Sequence, residues 1–415
     1  MTGFVKAPLP PMELSDSVLR ILSQLEASNK DVEEAITLPP EAYTNEDWFE
    51  FEKRAVWDRD WICVGHTGLV PERGDYVSIT INNDPLLVLR DKEDNIRVMS
   101  AACPHRGTVI GEDRGNVKNS FACPMHAWTF DLSGTLINAP EMEPHASIEE
   151  LRKDHCLANI RTELWNGFIF INLDGEAKPL TPRLKRLSAE VANHHLDEMG
   201  AVPTIDWKDN PWNWKYMHEN AIEPYHTHYL HKDIHGFAPS KLATFDEWDE
   251  ADDGAIYHPT GFVELDGNFT ASFKSLYPII ETLTENERKR VMFACVLPNL
   301  FFGAVPDGLL YYLILPQGAN EIILRVGFLY PKSTLAMPNF YEILPEVVDG
   351  LALYNDQDVV ANKLVHKGLK SRFAGRGRYA PKEKTLSQFN RWLIKRYRSY
   401  ADSLNKKLEK TRSVA

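Results

Sequence analysis

The chain has 415 residues, of which 43% are hydrophobic, 25% charged and 11% aromatic, and its 59 acidic against 46 basic residues leave a formal net charge of -13. This is the make-up of a folded globular protein, so disorder, collagen and coiled coil are excluded, and the length calls for two domains or one with a large elaboration. An acidic balance without a basic block that would track a phosphate backbone argues against nucleic acid as a partner.

In chain order, residues 1–45 hold a Pro-bearing start and then Val18, Leu19, Ile21, Leu22 and Leu25 at helical spacing, which predicts a leading helix and an arm packed on the catalytic part of the chain. TNEDWFEFEKRAVWDRDW predicts a short helix with an aromatic face, and the runs DYVSITI, DPLLVLRD, NIRVMSA and LWNGFIFINLD predict strands, so residues 46–175 read as a small β domain. Beyond the linker GEAKPLTPRL, residues 176–415 turn helical in LKRLSAEVANHHLDEM and pass through NPWNWKYMHENAIEPYHTHYLH, a helix start. They then alternate through RVMFACVLPNL, LFFGAVPD, GLLYYLILPQG and NEIILRVGFLYP as antiparallel strands, and close on helices, so this second region is α+β. The N-terminus lacks an apolar signal region, and the most apolar stretch, Met292 to Pro316, is interrupted by Pro298, Asn299, Pro306 and Asp307. A cytoplasmic protein without a membrane span is expected.

The five cysteines, Cys63, Cys103, Cys123, Cys156 and Cys295, are odd in number and scattered, which favours metal ligation over a disulfide framework. Cys103-Pro-His105 and Cys123-Pro-Met-His126 form two loops that each bring one thiol and one imidazole. Such a set holds either one tetrahedral zinc or a two-iron, two-sulfur cluster, and the mixed Cys/His content of each loop matches the cluster, in which one iron takes two thiolates and the other two imidazoles. The plainer reading, buried core cysteines with surface histidines, leaves the paired spacing unexplained.

A second constellation lies in the segment from Asn213 to His231. His226 and His231 are too far apart for one straight helical face and suit an ending turn. NDQDVVANKLVHKGL downstream supplies Asp356 and Asp358 at the start of a helical run. Two histidines and a carboxylate on one face hold a ferrous ion that activates dioxygen, and His226, His231 and Asp358 fit that set, with Asp356 as competitor and with helix capping as the ordinary role for Asp358. His218, His228 and His235 read as non-ligands.

CPHRG followed by CPMHAWTFDLSG resembles the cluster motif of Rieske domains in ring-hydroxylating oxygenases, and EN-x2-E-x-YH-x4-H with the Asp before VHKGL resembles the mononuclear iron motif of the same Rieske non-haem iron oxygenases. The resemblance to their α subunit implies an all-β Rieske domain, a helix-grip catalytic domain with a central antiparallel sheet, and a head-to-tail homotrimer. It implies a [2Fe-2S] cluster on Cys103, His105, Cys123 and His126, and mononuclear Fe(II) on His226, His231 and Asp358. It also implies electrons from NAD(P)H through a separate reductase, since this chain carries no flavin or dinucleotide motif. At position 223, three before the first His, the family usually has Asp, a bridge to a cluster histidine of the next subunit; Glu223 here is similar to oxygenases acting on carnitine and glycine betaine. The expected activity is hydroxylation or oxidative demethylation of a small substrate, with a methylated ammonium compound favoured by Glu223 and an aromatic acid or related ring as the alternative. Phe301, Phe302, Tyr311 and Tyr312 are candidates for the pocket and equally for the core.

Overall fold

The structure is a computed structural model that describes residues 4–7, 12–143, 145–232 and 234–414, with the backbone alone at 250 and 407–414. Part of the arm expected within 1–45, residues 1–3 and 8–11, lies outside the described residues. Among those described, no helix is long and apolar enough to cross a membrane.

The first half opens on the expected helices, Asp16–Gln24 and Glu46–Glu52, and from Ile62 to Asn172 is mainly β. Its strands are β1 (Ile62–His66), β2 (Asp75–Ile81), β3 (Asp84–Arg90), β4 (Ile96–Ser100), β5 (Arg114–Asn116), β6 (Ser120–Ala122), β7 (Thr129–Asp131), β8 (Leu136–Asn138), β9 (Arg161–Trp165) and β10 (Phe168–Asn172). They form three antiparallel sheets in the orders β1-β10-β9, β4-β3-β2-β5 and β6-β7-β8. The run LWNGFIFINLD, expected as one strand, is a hairpin: Asn166 and Gly167 both take positive φ and turn β9 back into β10 with Trp165 opposite Phe168. An Asn-Gly pair between alternating apolar residues is a strong two-residue hairpin signal. Leu87, Leu89, Met99, Phe121, Trp128 and Phe130 bury a separate small core around Cys103 and Cys123.

The second half is built on a seven-stranded antiparallel sheet: β11 (Gly200–Ala201), β12 (Ile205–Asn210), β13 (Ala255–Gly261), β14 (Arg290–Val296), β15 (Leu300–Val305), β16 (Gly308–Gly318) and β17 (Glu321–Tyr330). Alternation decides which face each residue serves. Phe302 and Tyr311 pack towards the first half against Phe168, whereas Phe301 and Tyr312 stack on each other on the opposite face. Of the four aromatic candidates, two therefore belong to the core between the halves and two to the cavity described below. The α+β class expected for the chain holds.

Over the cavity face of the sheet runs the helix Phe340–Leu369. Val347, Leu351, Tyr354 and Asn362 are buried along it at helical spacing. Asp358 falls on the same stripe, so it is turned inward from the middle of the helix, and the capping role weighed for it does not apply. Gly350 lets this helix approach closely: a Cβ there would meet Phe269 O at 2.5 Å. The helix Lys215–Ala221, which leads to the histidines, is held by a wholly buried ion pair, Lys215 Nζ to Glu52 Oε1 at 2.7 Å and Oε2 at 2.9 Å. Tyr397 Oη also donates to Glu52, so elements from both ends of the chain converge behind the site.

Candidate metal centres

The two cysteine loops are near copies. In each, the Cys carbonyl accepts from the amide four residues on, Gly107 N at 2.8 Å and Ala127 N at 2.9 Å. In each, the Cys amide donates to the carbonyl five residues on, Thr108 O at 2.9 Å and Trp128 O at 2.8 Å. The residue closing each turn has positive φ, 77° at Gly107 and 56° at Ala127. The thiols of Cys103 and Cys123 are buried at 2% and 3%, while His105 and His126 are exposed with ring centroids 4.8 Å apart, and His105 stacks on Trp128. Burial raises the Cys103 thiol; Cys123 is subject to the same burial, but backbone donors at Met125 and His126 and the Cys103 thiol lower it overall.

The expected cluster residues thus come together as a thiol pair beneath an imidazole pair. Among the described residues the three-residue set able to hold one ion is His226, His231 and Asp358, not any three of these four. Two adjacent pairs rather than one tetrahedron fit a two-iron cluster better than a single zinc.

The second centre is assembled from distant elements. Pro224 separates the helix Lys215–Ala221 from the single turn Thr227–Leu230, and His226 and His231 flank that turn at its start and end. Their ligand atoms and one from Asp358 all lie within 4.8 Å of one another. His231 Nε2 is 3.1 Å and His226 Nε2 3.8 Å from Asp358 Oδ1. Each imidazole is oriented from behind: Glu223 Oε1 accepts from His226 Nδ1 at 2.7 Å, and Gln357 Oε1 from His231 Nδ1 at 2.7 Å. That leaves both Nε2 atoms facing the carboxylate, the tautomer a metal needs. Asn220 Nδ2 donates to Asp358 Oδ1 at 3.1 Å. Burial pulls the His226 imidazole down, but Glu223 and Asp358 more than offset this and raise it.

Asp356 is exposed on the outer side of its helix, outside the set. His218 is buried between Cys295 Sγ and Pro298 O, and His228 is exposed. His235 lines the cavity beside His231, and burial lowers it to about 4. Asn220 and Gln357 were not among the expected residues; the helical stripe that turns Asp358 inward was visible in the spacing, but the two side-chain contacts are set by tertiary packing.

The centre opens on a cavity of about 120 Å³ walled by aromatic residues, among them Phe269, Phe293, Phe301, Tyr312 and Tyr354. Buried thiols paired with exposed imidazoles in one half, and two imidazoles and a carboxylate at a cavity in the other, define a Rieske-type protein with a mononuclear metal site.

Residues 60–153 match the Rieske [2Fe-2S] domain family, and residues 186–399 match the family described as ring hydroxylating alpha subunit (catalytic domain). The chain belongs to this family of ring-hydroxylating oxygenase α subunits. It is 34% identical over 199 residues to a carnitine monooxygenase oxygenase subunit of Escherichia coli (strain K12), covering 47% of this chain and 52% of that one. It is equally 34% identical over 201 residues to a benzene 1,2-dioxygenase subunit alpha of Pseudomonas putida, covering 47% and 44%. The matched region thus spans about half the length of these relatives. A quaternary ammonium Rieske monooxygenase structure superposes with TM-score 0.75 at 20% identity, over 95% of this chain and 100% of that one. A Rhodococcus naphthalene 1,2-dioxygenase bound to indole gives 0.77 at 22%, over 92% and 98%. Both likenesses establish the shared fold.

Proposed function

We propose that the protein is the terminal oxygenase component of a Rieske non-haem iron system, using dioxygen and electrons from a separate NAD(P)H reductase to hydroxylate or oxidatively demethylate a small substrate. The observation that carries this reading is the convergence of His226, His231 and Asp358 on one point at the mouth of an aromatic cavity. Ferrous iron held by two imidazoles and one carboxylate supplies dioxygen activation with open positions for substrate. The work of the chain around it is positional. Glu223 and Gln357 hold the Nδ1 protons and fix both rings, Asn220 steadies the carboxylate, and the aromatic walls exclude water. In the other half, Cys103, Cys123, His105 and His126 would hold the [2Fe-2S] cluster, with the imidazole edge exposed for contact with a redox partner.

The same reading takes residues 46–175 as the Rieske domain, 176–415 as the catalytic domain, and 1–45 as a helix and arm packed on the latter. It takes the assembly as a head-to-tail homotrimer in the cytoplasm, with Glu223 as the link from His226 to the next copy's cluster. For the substrate, Glu223 and the likeness to carnitine monooxygenase favour a methylated ammonium compound, and the aromatic walls and the benzene dioxygenase relative favour a ring. The test is the electron paramagnetic resonance spectrum of reduced, iron-replete protein exposed to nitric oxide. A ferrous-nitrosyl signal supports the iron site, and its absence removes the reading.

A further inference from the structure

We propose that Tyr312 and Asn355 are the specificity-determining pair of this cavity, and that they select a guest bearing a neutral hydroxyl, an alcohol or a phenol, on its metal side. The inference rests on the cavity being the substrate site, and it deepens both substrate readings, since an ammonium compound and a ring can each carry that group.

Tyr312 comes from β16 and Asn355 from the helix that lies over the sheet, one turn before Asp358, and both line the cavity while only 4% and 9% exposed. Three other polar side chains of the lining spend their donors on the protein: Thr227 Oγ1 donates to Pro224 O, Tyr354 Oη to Ile234 O and Asn268 Nδ2 to Asp307 Oδ1, each at 2.8 Å. Tyr312 and Asn355 turn mainly to each other.

Their hydrogen bonds do not use up what they offer. Asn355 Nδ2 donates to Tyr312 Oη at 3.0 Å and to Leu351 O at 3.4 Å, and the Leu351 carbonyl fixes which end of the amide is the nitrogen. Tyr312 Oη lies 3.3 Å from Asn355 Oδ1, so among the described residues its proton has only this long return contact to the same amide. A single oxygen cannot lie in line with both the N–H and the carbonyl of one amide, so one donor and one acceptor keep unused capacity at the cavity wall. Burial pushes the Tyr312 hydroxyl up, which keeps its proton in place.

A guest hydroxyl completes both groups: it accepts from Tyr312 Oη and donates to Asn355 Oδ1. A carboxylate could take only the first, and a bare methyl or ring edge takes neither and leaves both polar groups dry. Phe301 stacks on Tyr312 with ring centroids 5.5 Å apart and Phe293 on Phe301 at 6.0 Å, an apolar floor for the rest of the guest. The ordinary role of the pair is to tie the helix to the sheet. A tie acts on every guest alike, whereas a selective pair acts on the hydroxyl.

The experiment titrates the ferrous-nitrosyl signal of the iron-replete protein with two pairs of probes that differ by one hydroxyl, benzyl alcohol against toluene and L-carnitine against γ-butyrobetaine. The expected result is that in at least one pair the hydroxylated member binds the tighter. In Tyr312→Phe and in Asn355→Leu the ratio of affinities within that pair should fall about tenfold, with iron content unchanged. Tighter or equal binding of the hydroxyl-free member in both pairs, no response to either hydroxylated probe, or a ratio that Tyr312→Phe leaves unchanged would each overturn the proposal. The wild-type comparison decides even where a variant does not fold. Loss of the nitrosyl signal without any probe is a different failure, that of the iron site itself.

Discussion

The two metal-binding regions are built by opposite strategies. The cysteine loops are local: each is closed by hydrogen bonds spanning no more than six residues, and the second repeats the backbone pattern of the first. The mononuclear centre is remote: Gln357 reaches His231 and Asp358 reaches Asn220 from another element more than a hundred residues away in sequence. A local site depends on backbone conformation and tolerates change elsewhere. A remote one depends on the helix Phe340–Leu369 being seated in register over the sheet.

The largest expected break in this comparison is Asp358→Ala. It should remove iron and reduce turnover to background while the cluster chromophore stays, and Asp356→Ala should do neither; iron per chain and the visible spectrum of the same samples decide. Glu223→Gln comes next, with both metals bound and turnover nearly abolished, and wild-type turnover in that variant would sink the bridge. Gln357→Leu should weaken iron binding by about ten- to hundredfold, because it leaves His231 Nδ1 without its acceptor; competition with a chelator measures it. Smallest are the turn residues. Gly107→Ala meets no atom within 4 Å but places a Cβ at φ 77°, and should cost about 1 kcal/mol in thermal unfolding. Ala127→Gly should be neutral to slightly stabilising, since strain is relieved while the unfolded chain gains freedom. If both substitutions destabilise equally, the likeness of the two loops is only superficial.

The same contrast explains what could be read from the sequence. The cluster loops were legible in full because spacing in the chain is spacing in space. His226 and His231 were legible because a single turn joins them. Asp358 enters from the two-histidine, one-carboxylate donor set together with the resemblance, with Asp356 as competitor, and its place on the stripe with Val347, Leu351 and Tyr354 supports it independently. Gln357 and Asn220 were hidden, as a side-chain hydrogen bond across the fold leaves no periodic trace. The strands β11, β12 and β13 were also missed: Ile205–Asn210 is mostly polar and Ala255–Gly261 carries Pro259, so neither shows clean alternation. The run 164–174 reads as one strand on its apolar content, which masks the Asn-Gly turn within it.

The self-closing turns around Cys103 and Cys123 bear on how the protein is made. A socket closed by its own amides needs no cargo to close it, which would let a cell fold this chain first and load iron and sulfide afterwards. The amides of Gly107 and Ala127 should then exchange slowly with deuterated solvent even in cluster-free protein, and rapid exchange there would mean that cluster and loops form together.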